Sequence, residues 1–232
     1  VNLFYSSERS GTSWVLDEDE VRHLRVLRLN VGDELHTTDG KGKIYQCRIE
    51  SVQKNKALLE ELNSIEPKAP FKRLHIYLSP VKNPDRMEWM VEKLTEIGVG
   101  SIGFIETTHS ERHHLKFERL QRKIISAGKQ SLKGAFPELI PMQKLTDLLS
   151  QSSSGFKAIA HCYDTPGRSY LGNMSKTDEK ITVLIGPEGD FTTEEVLLCV
   201  QSGFTEISLG DARLRTETAA VVAATLMNHL LI

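Results

Sequence analysis

Cysteine is scarce in this chain of 232 residues. Cys47, Cys162 and Cys199 stand apart, without the close spacing of a metal site or the pairing of a disulfide framework. Such usage fits a reducing compartment, so a cytoplasmic protein without a bound metal is expected. No apolar run approaches the ~20 residues that cross a bilayer, and no signal peptide is visible, so neither membrane insertion nor secretion is expected. A large excess of either charge is also missing, since the formal net charge is -2. Any attraction to nucleic acid must therefore be local, and the charge is indeed uneven. Residues 71–145 hold 13 Lys and Arg against 8 Asp and Glu, whereas residues 146–232 hold 6 against 11. With 39% hydrophobic and 26% charged residues, the chain reads as an ordinary globular protein of one large domain or two smaller ones.

The first part reads as a short helix followed by β-rich sequence. In "DEDEVRHLRVLRL" Asp17 is placed to cap a helix whose apolar stripe holds Val21, Leu24 and either Leu27 or Arg28. Short alternating runs follow, "ELHTTDG", "KIYQCRIESVQ" and "KALLEEL", separated by Asp-Gly and Lys-Asn turns, which predicts a small β-barrel or sandwich. The stretch "SIEPKAPF" has two prolines and no periodicity, so a domain boundary is expected there, with residues 1–68 before it and 69–232 after it.

From Leu74 onward apolar runs alternate with helical patterns, which predicts an α/β domain with a mostly parallel sheet. In "PDRMEWMVEKLTEI" Met87, Met90, Val91, Leu94 and Ile97 fall at helical spacing, with Asn83-Pro84 as cap and first-turn residue. The following "GVGSIG" matches a dinucleotide-binding fingerprint by letters alone. That fingerprint needs a strand before it and a helix after it, and here the order is reversed. Gly98 is expected to end the helix and Gly100 and Gly103 to relieve crowding in a tight turn.

The segment "HSERHHLKFERLQRKIISAGKQSLK" carries Arg112, Lys116, Arg119, Arg122, Lys123, Lys129 and Lys133 against only Glu111 and Glu118. It is either a solvated helical face or a phosphate-binding surface for RNA. Arg22, Arg25 and Arg28 extend the candidate RNA contacts, although Arg25 could instead pair with nearby acids. His109, His113 and His114 lack the partners of a metal site.

Two glycine turns stand at predicted strand ends. In "LIGPEGDFTTEEV" a buried strand runs into Gly186-Pro187-Glu188-Gly189, and Thr192 with Glu195 forms a capping box for the next helix. In "SLGDARLRTETAA" a second strand end precedes a long Ala-rich helix that begins at Thr216 or Thr218. Neither turn has the lysine of a phosphate-binding loop. Paired strand ends of this kind form the crevice in which open α/β sheets bind ligands. The candidate ligand residues are Leu184, Ile185, Gly186, Pro187, Glu188, Gly189, Leu209, Gly210, Leu214 and Thr216, of which Ile185 and Leu214 could equally be ordinary core.

These two motifs, with "HLRVLRL", "KNPDRMEWMVEKLTEIGV" and "SERHHLK", resemble the SPOUT-class RNA methyltransferases, in particular the bacterial 16S ribosomal RNA uridine N3-methyltransferases. The resemblance covers the whole chain. It implies a PUA-like RNA-binding β-barrel, an α/β methyltransferase domain with a trefoil knot, S-adenosyl-L-methionine as methyl donor, 16S ribosomal RNA or the small ribosomal subunit as partner, and a homodimer. The sequence departs from the commoner family pattern at "KQSLKGAFPEL", where Lys129 and Lys133 take the charged positions, and near Ala212, where many members have a basic residue. The apolar circumference of the last helix, from Ala219 to Leu231, suits either a monomer core or a two-fold interface; the resemblance favours the interface.

Methylation at a uridine N3 needs a proton acceptor and a cation for the charge that spreads onto O2 and O4. Glu217 and Arg215, beside the predicted donor turns, are the candidates for these catalytic roles; the simpler readings are that Glu217 complements the dipole of the helix start and that Arg215 pairs with it or with Glu188. A rival expectation is a non-catalytic RNA-binding or ribosome-assembly protein on the same fold, or methylation of another RNA base.

Overall fold

Asp17 stops an extended segment because its side chain accepts the backbone N–H of Glu20, and that bond starts helix α1 (Glu18–Val26). The computed structural model describes residues 2–65, 71–151, 154–171, 174–175, 177 and 179–231. The chain divides into two compact units, residues 1–70 with 125–136, and residues 71–124 with 137–232. The boundary expected between 68 and 69 lies outside the described residues, and the assignment of 125–136 to the first unit had no sequence signal.

The first unit is a six-stranded sheet of β1 (Leu3–Tyr5), β2 (Glu8–Ser10), β3 (Ser13–Leu16), β4 (Glu34–Thr38), β5 (Ile44–Val52) and β6 (Ala57–Ile65), in the order β1-β4-β5-β6-β3-β2. Only β1 and β4 pair in parallel. Sequence reading placed no strands before α1. That is corrected by β1 to β3, which are too short to show an alternating pattern. Val21 and Leu24 of α1 pack on Phe4, Trp14, Leu16, Leu35 and Ile49 in one core. Leu27 joins this core at the helix end, whereas Arg28 takes φ 58 and leaves the helical stripe. Phe136 stacks on Tyr5, and its ring lies where a Cβ on Gly40 would stand, at 2.6 Å.

The second unit contains β7 (Phe71–Leu78), α2 (Pro84–Ile97), β8 (Val99–Glu106), α3 (Phe117–Gln130), β9 (Glu138–Lys144), α4 (Leu145–Ser150), β10 (Phe156–Ala160), β11 (Ser169–Tyr170), β12 (Ile181–Ile185), α5 (Thr193–Gln201), β13 (Thr205–Ser208) and α6 (Thr216–Leu230). The last part of α3, from residue 125, belongs to the first unit. The sheet order is β11-β13-β10-β12-β7-β8-β9, and each neighbouring pair is parallel. Every residue of β12 is buried, as a strand with neighbours on both edges and layers on both faces requires.

Helix α2 starts as expected. Asn83 accepts the N–H groups of Asp85 and Arg86, and Pro84 occupies the first turn. Gly98 ends it at φ 96, a left-handed conformation that favours glycine. Strand β8 begins at the next residue, so the "GVGSIG" letters run from a helix end into a strand. Gly103 is not in a turn, as expected from sequence, but within β8, where the Tyr77 ring fills the space of a missing Cβ.

The crossover through α5 carries the chain from β12 to β13 on the far side of β10. After β13 the chain returns, because α6 packs on α2, β7 and β12. Ala220, Ala223, Ala224, Met227 and Leu230 form its buried side, while Val221, Val222 and Leu226 remain half-exposed.

Candidate functional site

Three neighbouring strands, β13, β10 and β12, end on the same side of a parallel sheet, which is where such sheets bind ligands. The segments that leave them enclose a cavity of about 740 Å³. Its walls are residues 160–163 after β10, 185–190 after β12 and 207–216 around β13 and the start of α6, with Arg168 and Ala219.

The turn after β12 is closed by the Asp190 N–H donating to the Pro187 carbonyl at 2.9 Å. Helix α5 then starts on the predicted capping box. The Glu195 N–H donates to Thr192 Oγ1 at 3.2 Å, and the Thr192 N–H donates to Glu195 Oε2 at 2.8 Å. Gly186 is tight, because a Cβ there would lie 3.0 Å from the buried Phe191 ring, which must shift to admit it. Gly210 is different. It has open space around it but adopts φ 124, which a side chain would strain.

The structure brings Ile185, Gly186, Pro187, Glu188, Gly189, Leu209, Gly210, Leu214, Arg215 and Thr216 together on the cavity wall. It does not bring Leu184 there. Strand alternation turns that side chain into a core with Ile105, Ile159, Phe191 and Val196.

Arg215 is exposed on the cavity wall at the N-cap of α6. Glu217, expected as a base, does not line the cavity. Two residues into the helix, it turns toward α2, where its Oε1 is 3.6 Å from Arg86 Nε and its side chain is 9% exposed. Its Oε2 is buried with no hydrogen-bond partner among the described residues.

Sequence reading did not single out His161, Cys162, Tyr163, Arg168 and Asp190, which also line the cavity. For His161, Cys162 and Tyr163 the one available signal was position, since "HCYD" directly follows the apolar run "FKAIA". The buried His161 donates through Nε2 to Glu206 Oε1 at 3.0 Å, and Thr165 Oγ1 donates to the same oxygen at 2.7 Å. Burial holds the His161 pKa below its ordinary value of 6.5, with Glu206 and Asp190 pulling the other way. Burial pushes the Cys47 and Cys199 thiols up to about 12. Cys162 alone is exposed, and burial of its sulfur and the nearby Asp190 raise its pKa less far.

The candidate RNA residues divide by their partners. Arg112 donates to the carbonyls of His114 and Lys82, both at 3.0 Å. Arg119 pairs with Glu88 and lies 3.8 Å from Asp85, while Lys123 is 3.3 Å from Glu92. Lys129 is only 18% exposed and bonds the buried Glu20, so it is held by a carboxylate within its own unit rather than presented to a ligand. Arg25 caps the carbonyls of Gln53 and Lys54, and Arg22 pairs with Asp19. Arg28, Lys116 and Arg122 are exposed, with Arg122 donating weakly to the Glu118 carbonyl at 3.4 Å. Lys133 is half-buried. His113 lies 2.9 Å from Glu106, and His109 donates through Nδ1 to the Asp190 carbonyl at 3.0 Å.

Residues 67–228 match the RNA methyltransferase domain family, and residues 16–62 match the RNA methyltransferase PUA domain. Ribosomal RNA small subunit methyltransferase E of Aquifex aeolicus is 31% identical, over 98% of this chain and 100% of that protein. A probable rRNA-methyltransferase from Porphyromonas gingivalis has a similar structure, with TM-score 0.92 and 38% identity over 99% of this chain and 98% of that one. The ribosomal RNA small subunit methyltransferase E of Neisseria gonorrhoeae, solved bound to S-adenosyl methionine, gives TM-score 0.85 and 29% identity over 99% and 98% of the two chains. With its two glycine turns on one cavity and both domains matched, the chain belongs to the ribosomal RNA small subunit methyltransferase E family.

Proposed function

We propose that this protein methylates N3 of a uridine in 16S ribosomal RNA, using S-adenosylmethionine held in the cavity at the ends of β10, β12 and β13. The carrying observation is that both glycine turns and the exposed Arg215 line that one cavity. Its volume of about 740 Å³ suits a small-molecule cofactor. The site fits this donor in two further respects. Ile185, Leu209 and Leu214 give apolar walls, and Gly210 leaves open the space that a side chain would occupy. The donor bound to the Neisseria gonorrhoeae relative supports the same reading.

When bound, S-adenosylmethionine supplies a methyl group activated by its sulfonium. The chain's own work is to orient the base, exclude water and manage charge. Loss of the uridine N3 proton places negative charge on O2 and O4, and the Arg215 guanidinium on the cavity wall stabilises it. Glu217 faces Arg86 instead of the cavity, so the proton goes to water or to the exposed carboxylates on the wall, Glu188 and Asp211.

The same reading includes the trefoil knot and the homodimer. The return of the chain from β13 to a helix packed on β12 and β7, with Thr216 bonded to Gly186, supports a threaded C-terminal segment. Half-exposed Val221, Val222 and Leu226 on α6 support a two-fold contact, which sedimentation at micromolar concentration tests. Residues 1–68 serve as the PUA-like RNA-binding domain and residues 69–232 as the methyltransferase domain. Phosphates meet Arg28, Lys116 and Arg122 first, these being exposed candidates that form no ion pair among the described residues.

Cys162 provides the test of the donor site, because it is exposed on the cavity wall while Cys47 and Cys199 are buried. S-adenosylhomocysteine should bind once per chain by calorimetry and slow alkylation of Cys162. Binding without protection of Cys162 would place the donor elsewhere.

A further inference from the structure

Asp190 joins segments from three strand ends. Its Oδ2 accepts the Cys162 N–H at 2.8 Å, its Oδ1 accepts the Phe191 N–H at 2.8 Å, and its carbonyl accepts His109 Nδ1–H at 3.0 Å. Cys162 follows β10, Asp190 follows β12, and His109 follows β8. Asp190 makes these bonds from φ 65, a left-handed conformation that a residue other than glycine adopts at a cost. One segment further along, Tyr163 Oη donates to the Phe191 carbonyl at 2.7 Å, so both cavity walls meet at this point.

We propose that Asp190 is a positioning residue, a clasp that fixes the wall after β10 against the glycine turn after β12 at the separation the methyl donor requires. This rests on the donor reading of the cavity given above. A carboxylate is suited to the task because it accepts two backbone N–H groups at once, one on each oxygen, whereas a neutral amide offers only one accepting oxygen. Asp190 itself is not required to touch the donor. Its effect passes through the backbone of Cys162 and of residues 186–189.

Two variants separate the carboxylate from the strained backbone. Asp190→Gly removes both side-chain bonds and relieves the left-handed φ, while Asp190→Asn keeps one acceptor and a side chain that tolerates that conformation. Affinity for S-adenosylhomocysteine by calorimetry is expected to fall on the order of tenfold in Asp190→Gly and by less in Asp190→Asn. The donor KM should rise in the same order, while kcat and the KM for RNA stay within about twofold. Amide hydrogen exchange at Cys162 should speed up in Asp190→Gly, which leaves that N–H without its acceptor. Wild-type donor affinity and donor KM in Asp190→Gly would overturn the clasp. Should that variant fail to fold, Asp190→Ala, which also lacks both acceptors, carries the same test, and unchanged affinity and KM there overturn it equally. A wild-type protein that binds no S-adenosylhomocysteine sinks the donor reading itself, an outcome distinct from binding that ignores both substitutions.

Discussion

Thr216 Oγ1 donates to the carbonyl oxygen of Gly186 at 3.0 Å, and both residues are buried. One bond thus ties the first turn of α6 to the glycine turn after β12, so the segment that carries Arg215 is fixed to the opposite wall of the cavity. Thr216→Val keeps the volume but leaves a buried carbonyl without its donor, and it should cost about 1–3 kcal/mol in denaturant unfolding. Thr216→Ser should restore most of that loss. Equal stability of the valine variant and wild type would show that the bond contributes nothing.

The two glycines should fail for different reasons. Gly186→Ala places a methyl against Phe191, which the core holds, so stability should fall by about 1–3 kcal/mol. Gly210→Ala meets no neighbour but must hold φ 124, so it should lose a similar amount as backbone strain, and a larger residue there should also obstruct the cavity. Titration with S-adenosylhomocysteine and unfolding curves on both variants distinguish these effects. Retained stability in Gly186→Ala would mean that Phe191 can move.

His161 should make the fold sensitive to mild acid. Burial lowers its pKa in the folded state below 6.5, so the unfolded chain binds the proton first. The stability it contributes is therefore complete above about pH 6.5 and is lost as pH falls below that value, by up to about 1.4 kcal/mol per pH unit. Urea unfolding at pH 7.5 and 5.5 should show a smaller difference for His161→Asn than for wild type. The same pH dependence in both would assign it to other groups.

Exposed and paired cations should separate by experiment. Reversing the charge of Lys116 and Arg122 should weaken ribosomal RNA binding and reduce its salt slope by about 1.5, while the melting temperature changes little. Reversal of Arg119 breaks its pairs with Glu88 and Asp85, so thermal stability should fall as well. A uniform effect of all three on RNA affinity alone would contradict this division.

Much of the architecture was legible because it rests on local rules. Asp17, Asn83 and Thr192 each cap the helix whose start they mark, and Gly98 ends a helix through its left-handed φ. The two glycine turns were legible as strand ends. Their meeting in one cavity depends on β13 lying beside β10, a long-range pairing that no local pattern encodes. The same limit hid His161, Cys162 and Asp190, whose roles come from contacts across strands. Glu217 turns to Arg86 rather than to the cavity because Arg215 is an extended N-cap residue, whereas Glu217 is already within the helix on the side that faces α2. Lys129 read as an exposed cation because Glu20 lies far from it in sequence.

The central claim is methyl transfer to a uridine N3 from the cavity that Arg215 lines. Small-subunit ribosomal RNA from a strain lacking this protein, incubated with the protein and methyl-labelled S-adenosylmethionine and then digested for mass spectrometry, tests it most directly. The account predicts one labelled 3-methyluridine per RNA, formed on the order of a hundredfold more slowly by Arg215→Ala protein that still binds donor and RNA. Label on another base, or an Arg215→Ala rate equal to wild type, would contradict it.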